Sequence, residues 1–173
     1  MTKIKLSMTT EALLELPEAF NVDLDTFLSG EGEVDEDNIF AKDFQTVLED
    51  MRLFAPSDLE YDQNTPALPS LIANGYTMRH VDAGILLFCP EGKIVGGYLS
   101  CDVSIDRAHQ DQGLGTEIII ERCLKDGMNP VLHLDEAAYS SAGLAAHISA
   151  WERVRSQPEE TAIRTARLSK MNL

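Results

Sequence analysis

The residues best equipped for chemistry lie between Asp102 and Thr116, in the stretch DVSIDRAHQDQGLGT. Gly113 and Gly115 flank Leu114 immediately before Ile118, Ile119, Glu121, Arg122, Cys123 and Lys125, an apolar stripe with charges opposite it that reads as a helix. The opening amides of a helix have no partner inside it and carry the positive end of the peptide dipoles, so they can hold an anion. Glycine at 113 and 115 removes the Cβ atoms that would keep a phosphate away, and it tolerates φ > 0 where a loop must curl. Thr116 adds a hydroxyl. Two glycines before a helix are also what a plain strand-to-helix turn with no ligand looks like. The named phosphate loops do not fit: there is no G-x-x-x-x-G-K-[ST], and the third small residue of G-x-G-x-x-G would fall on Ile118.

Other reactive side chains are scattered. Asp102, Ser104 and Asp106 share one face of a regular strand, where a carboxylate could take a proton or simply be solvated. His109 reads as a surface residue or a phosphate neighbour, and His133 as a hydrogen-bonded core histidine. Cys89, Cys101 and Cys123 are odd in number and show no C-x-x-C or Cys/His spacing, so they read as reduced core residues, and no metal site is expected. Trp151 reads as packing, and no Ser-His-Asp triad is suggested by spacing.

These residues need elements to hold them. Lys93 to Ile105 is β-branched and aromatic enough to be one strand, with Gly96 and Gly97 leaving room for a bulge or a close backbone approach. Tyr76 to His80 and Gly84 to Cys89 are further strands, joined by short turns suited to antiparallel hairpins. Upstream, Thr2 to Ser7 reads as a strand, Ala12 to Phe20 as a helix capped by Thr9 or Thr10, and Leu24 to Leu28 as a short helix. Asp37 to Phe54 is a longer helix with a wide apolar face, and Pro66 to Asn74 is expected to add a helical turn. Downstream, Val131 to Leu134 reads as a strand, Ala142 to Val154 as a helix, and Ser156 to Leu173 as helical and charged. A strand reached through an intervening helix argues for parallel pairing and a mixed sheet. At 173 residues the chain fits a single domain, with an acidic helical part (1–75), a core (76–155) and a C-terminal tail or helix (156–173).

The order strand, Gln110-x-x-Gly113-x-Gly115, helix resembles the GCN5-related N-acetyltransferases over about residues 76 to 150. Val103-Ser104-Ile105-Asp106-Arg107 stands where that family has its L-x-V-x-P-like strand segment, with Arg107 in place of the proline. The resemblance implies an α/β (α+β) fold: a mixed, mostly antiparallel central sheet flanked by helices, here with a trimmed or helical C-terminal end. It implies acetyl-CoA as acyl donor, its pyrophosphate held by the loop Gln110, Asp111, Gln112, Gly113, Leu114, Gly115 and Thr116, and transfer of the acetyl group to a primary amine. Such transfer needs a base for the amine proton, a donor for the leaving thiolate and N–H groups for the carbonyl oxygen. Asp106 and Asp102 are the candidate bases, Tyr139 the thiolate-side donor with Ser140, Ser141 and His147 in reserve, and the backbones of Val103 and Ile105 the carbonyl donors. The family's usual final strands and its N-x-x-A-x-x-x-Y arrangement are missing, so a binding or regulatory protein on the same fold is the alternative.

Charge bounds the partners. Residues 1 to 65 hold 16 acids against 4 bases, a net of −12, and the remainder 13 against 10, a net of −3. Such a chain should repel nucleic acid. The dense run Glu31, Glu33, Asp35, Glu36 and Asp37 reads as a solvated loop, with an acidic interaction surface or a nucleic-acid mimic as sharper readings. Acidity favours a cationic acceptor, either a small amine or a protein lysine or N-terminus. No apolar run suggests a membrane span and no signal-peptide core opens the sequence, so a cytoplasmic protein is expected. A homodimer is compatible with the sequence.

Overall fold

A computed structural model describes residues 10–15, 25, 28–29, 43–100, 102–130 and 140–171. Its centre is a five-stranded antiparallel sheet in simple sequential order: β1 (Leu68–Pro69), β2 (Thr77–Val81), β3 (Gly84–Phe88), β4 (Ile94–Leu99) and β5 (Asp102–Ile105). Helices α1 (Thr10–Leu14), α3 (Leu114–Asp126), α4 (Ser141–Ser156) and α5 (Pro158–Lys170) cluster together, and α3 lies directly on one face of the sheet, against β3, β4 and β5, with the others packed around it. The other face is covered by α2 (Phe44–Phe54). The class is α+β, as the sequence suggests.

Alternation along the strands, offset on β4 by a register shift opposite Leu87 and Phe88, decides what each face buries. Met78, Ile85, Leu87, Val95 and Tyr98 pack with Ile118, Ile119 and Cys123 of α3, whereas Leu86, Phe88 and Leu99 meet Phe44 and Leu48 of α2. β3, covered on both sides, is therefore apolar throughout, as GILLF. Asp43 caps α2, accepting from the Thr46 N–H at 3.1 Å, and Pro56 follows the helix C-cap Ala55. Gly97 lies beneath this helix, and a Cβ there would meet the Ile85 carbonyl at 2.6 Å. That close approach is what the Gly96-Gly97 pair provides.

Three expectations are corrected. Lys93 to Ile105 is not one strand: Ser100 takes φ 55 and donates its N–H to the Ala83 carbonyl, so the chain turns back and β5 pairs with β4, Gly96 opposite Ile105 and Leu99 opposite Asp102. Periodicity cannot reveal such a turn, because the residues on both sides of it are good strand formers. Pro66 to Asn74 gives β1, paired with β2, then bends and a turn rather than helix. The described part of the Asp37–Phe54 helix begins at Phe44. The tail is helical, opened by Pro158 at its first turn. The strands expected at Thr2–Ser7 and Val131–Leu134, the parallel pairing and the acidic run 31–37 lie outside the described residues.

Candidate functional site

β5 lies at the edge of the sheet and feeds the glycine loop. The Asp106 N–H donates to the Val95 carbonyl at 2.8 Å, and bonded pairs alternate along an antiparallel ladder. Ser104 and Asp102 therefore bond to β4, and Val103 and Ile105 turn their backbone N–H and C=O groups outward. Gln110 agrees with this phase, since its Nε2 donates to the outward Ile105 carbonyl at 2.7 Å. Among the described residues no strand pairs with that edge.

After a short 3₁₀ turn over Arg107–His109, the loop enters α3 through Gly113, the N-cap, at φ 74 and ψ 4. This left-handed conformation explains glycine at 113. The helix ladder opens with the Glu117 N–H donating to the Gly113 carbonyl at 3.1 Å, so the amides of Leu114, Gly115 and Thr116 have no partner within the helix. Gly115 differs from Gly113: its φ is helical, and a Cβ there would meet only the Ala146 Cβ and the Ile105 Cδ1, each at 3.8 Å. The Asp111 backbone is also left-handed, at φ 60, a conformation its short polar side chain tolerates.

A cleft of about 360 Å³ opens at this junction. Val103, Ser104 and Ile105 form its base, and the loop and first turn of α3 form one wall. The opposite wall is the start of α4: Ser140, Ala142, Gly143 and Ala146. Ser140 caps α4, accepting from the Gly143 N–H at 3.1 Å, so two helix N-termini border one cleft. Among the described residues no Lys or Arg lines it, and Asp111 and His109 are the ionisable side chains in its walls. An anion here would be held by amides and dipoles rather than by side-chain cations.

The loop is braced from behind. Tyr76 Oη lies 2.7 Å from His109 Nδ1 and accepts from Gln112 Nε2 at 3.4 Å, and Ile72 packs where a Gly113 Cβ would stand. Gln112 thus turns away from the cleft, while Gln110, Asp111, Gly113, Leu114, Gly115 and Thr116 line it. Neither candidate base does. Asp102 is exposed at the start of β5, and Asp106 accepts from Gln45 Nε2 of α2 at 2.6 Å. Tyr139 lies outside the described residues. His147 is buried, with Nδ1 donating to the Gly143 carbonyl at 2.8 Å and Nε2 3.2 Å from Tyr98 Oη, an arrangement that orients α4 on the sheet. Tyr76, Ile72 and Gln45 were not identified from sequence, because each reaches the site across more than thirty residues and no local pattern marks it.

A smaller hollow, about 230 Å³, lies by β2 and the end of α3, with His80, Arg79 and Lys125 in its walls. Burial pushes the His80 imidazole down to about 3, with the Lys125 and Arg122 charges adding to the effect, so it is neutral at ordinary pH. Burial likewise pushes the Cys123 thiol up, and Cys89 and Cys123 are both free and buried. Among the described residues no cluster of His, Cys, Asp or Glu is arranged to hold a metal ion, and no helix is long and apolar enough to cross a membrane.

No family model matches the chain, and neither a curated protein nor a solved structure does.

Proposed function

We propose that this protein is an acyl-CoA-dependent N-acyltransferase of the GCN5-related kind, moving an acetyl group from acetyl-CoA to a primary amine. The observation that carries the reading is the junction of a β5 edge, unpaired among the described residues, with a glycine-lined helix start, both bordering one cleft. The donor's diphosphate would lie against the amides of residues 111–116, whose glycines leave them uncovered. Its thioester would run along the outer edge of β5, the carbonyl oxygen accepting from the Val103 or Ile105 N–H, a preorganised donor that strengthens as negative charge develops there. The amine nitrogen attacks the thioester carbon, the C–S bond breaks, and the thiolate leaves with a proton from Tyr139 or solvent. The amine's own proton passes to Asp106 or Asp102 through water, since neither carboxylate lines the cleft.

The second reading, a binding protein on the same frame without turnover, is favoured by Gln45, which occupies one oxygen of Asp106. One experiment separates the two. Calorimetric titration with acetyl-CoA, followed by thiol release over a panel of polyamines, aminoglycosides and lysine peptides, should give saturable binding and amine-dependent CoA release. Binding without release supports the second reading, and no binding removes both.

A further inference from the structure

Behind the glycine loop lies an ion cluster with a buried centre. Arg164 of α5 donates from Nη1 to Glu117 Oε1 at 3.0 Å and to Glu121 Oε1 at 2.6 Å, and from Nη2 to Glu160 Oε1 at 2.6 Å. Arg164, Glu117 and Glu121 have no exposed surface. Glu117 stands in the first turn of α3, and it also accepts from the Leu71 N–H at 2.7 Å and from the Ser70 hydroxyl. Glu160 has a second partner in Arg153, and Arg167 donates to the Pro69 carbonyl.

A carboxylate in the first turn of a helix is attracted by the same positive field that would hold an anionic ligand at the helix start. Buried and unpaired, Glu117 would cancel that field; paired with a cation, it does not. We propose that Arg164 is a positioning residue for the glycine loop: it neutralises Glu117, fixing that side chain on Ser70 and Leu71 while leaving the α3 amides free to attract an anion. The inference rests on the reading of the cleft as a diphosphate site. It gives the C-terminal helix a part in the site, through Glu117 rather than by contact with ligand. Glu121, whose Oε2 has no hydrogen-bond partner among the described residues, shares the same guanidinium.

The test measures binding of inorganic pyrophosphate and of CoA by calorimetry, at two salt concentrations, to wild type, Glu117→Gln, Arg164→Met and the double variant, with circular dichroism reporting the fold. Glu117→Gln keeps an acceptor for the Leu71 N–H and should bind pyrophosphate at least as tightly as wild type. Arg164→Met should weaken binding roughly tenfold to thirtyfold, the span expected for an uncompensated charge at a partly buried helix terminus. The double variant should bind about threefold or more tighter than Arg164→Met, because the carboxylate nearest the α3 amides has lost its charge, and stay short of wild type, because Glu121 still lacks its guanidinium. A folded Arg164→Met that binds normally overturns the proposal, as does a double variant no better than Arg164→Met. If Arg164→Met does not fold, since stranded buried carboxylates are costly, the Glu117→Gln result decides: weaker binding overturns it. Wild type binding pyrophosphate but not CoA removes the acyltransfer reading while leaving this variant order to be judged; binding neither overturns both.

Discussion

Gly113 and Gly115 stand two residues apart and do different work, so adding one methyl group to each should move stability in opposite directions. At Gly113 the backbone is left-handed, which costs an L-residue about 1–2 kcal/mol, partly offset by about 0.4–1 kcal/mol from a stiffer unfolded chain. The new methyl would also stand 3.1 Å from Ile72 Cδ1, and that flexible tip must yield by a few tenths of an ångström. Gly113→Ala should therefore lose about 1 kcal/mol. At Gly115 the φ is helical and the nearest atoms are at 3.8 Å, an ordinary contact, so alanine gains helix propensity of up to about 1 kcal/mol. For a chain of this size each kcal/mol is worth about 2–4 °C, so thermal unfolding should place the two variants about 4–8 °C apart, Gly115→Ala the higher. Acetyl-CoA affinity should fall in both, because the first deforms the loop and the second narrows the cleft between Ile105 and Ala146. A Gly115→Ala that melts below wild type, or a Gly113→Ala that melts with it, would refute the loop geometry. Unchanged affinity in both variants would refute the placement of the ligand.

Two further predictions concern pH. Native His80 stays neutral down to about 3, while in the unfolded chain it gains a proton near 6.5, so stability is lost as pH falls between those values, on the order of 5 kcal/mol at the acid limit. His80→Phe should flatten the melting temperature over that window; an unaltered slope from pH 6.5 to 4 would contradict it. Burial pushes the Glu121 carboxyl up, against the pull of Arg164, so the folded state holds this proton more tightly and stability declines as pH rises from the unfolded value through the folded one. Glu121→Gln should thus gain on wild type as pH is raised above about 4.5 and lose its advantage below it, read from melting curves at several pH values; the reverse order would show that the ion pair outweighs the burial.

How much of this was legible in the sequence varied with the range of the interaction. The glycine loop, α3, α4, the hairpin strands and the helical tail each carry a local signal: turn residues, caps or apolar periodicity. The class was expected from the family resemblance that their order carries. The break at Ser100 was not visible, because a tight turn between two strand-like runs looks like one long strand, yet it decides that the strand feeding the loop is a short one, last in the described sheet. Asp102 and Asp106 were grouped by alternation alone, and alternation says which face a residue takes, not what covers that face. Gln45 arrives from α2 to hold Asp106, and the base of the cleft is built from Val103–Ile105 instead. Arg164 lies in a stretch that reads only as helical and charged; the docking of α5 on α3 is what buries it fully against Glu117 and Glu121.

The most direct measurement is the amide spectrum of ¹⁵N-labelled protein titrated with acetyl-CoA. Saturable shifts are expected at residues 111–116, Val103 and Ile105, with little change at His80 or Lys125 around the second hollow. Shifts centred on that hollow, or none at millimolar acetyl-CoA, would contradict it.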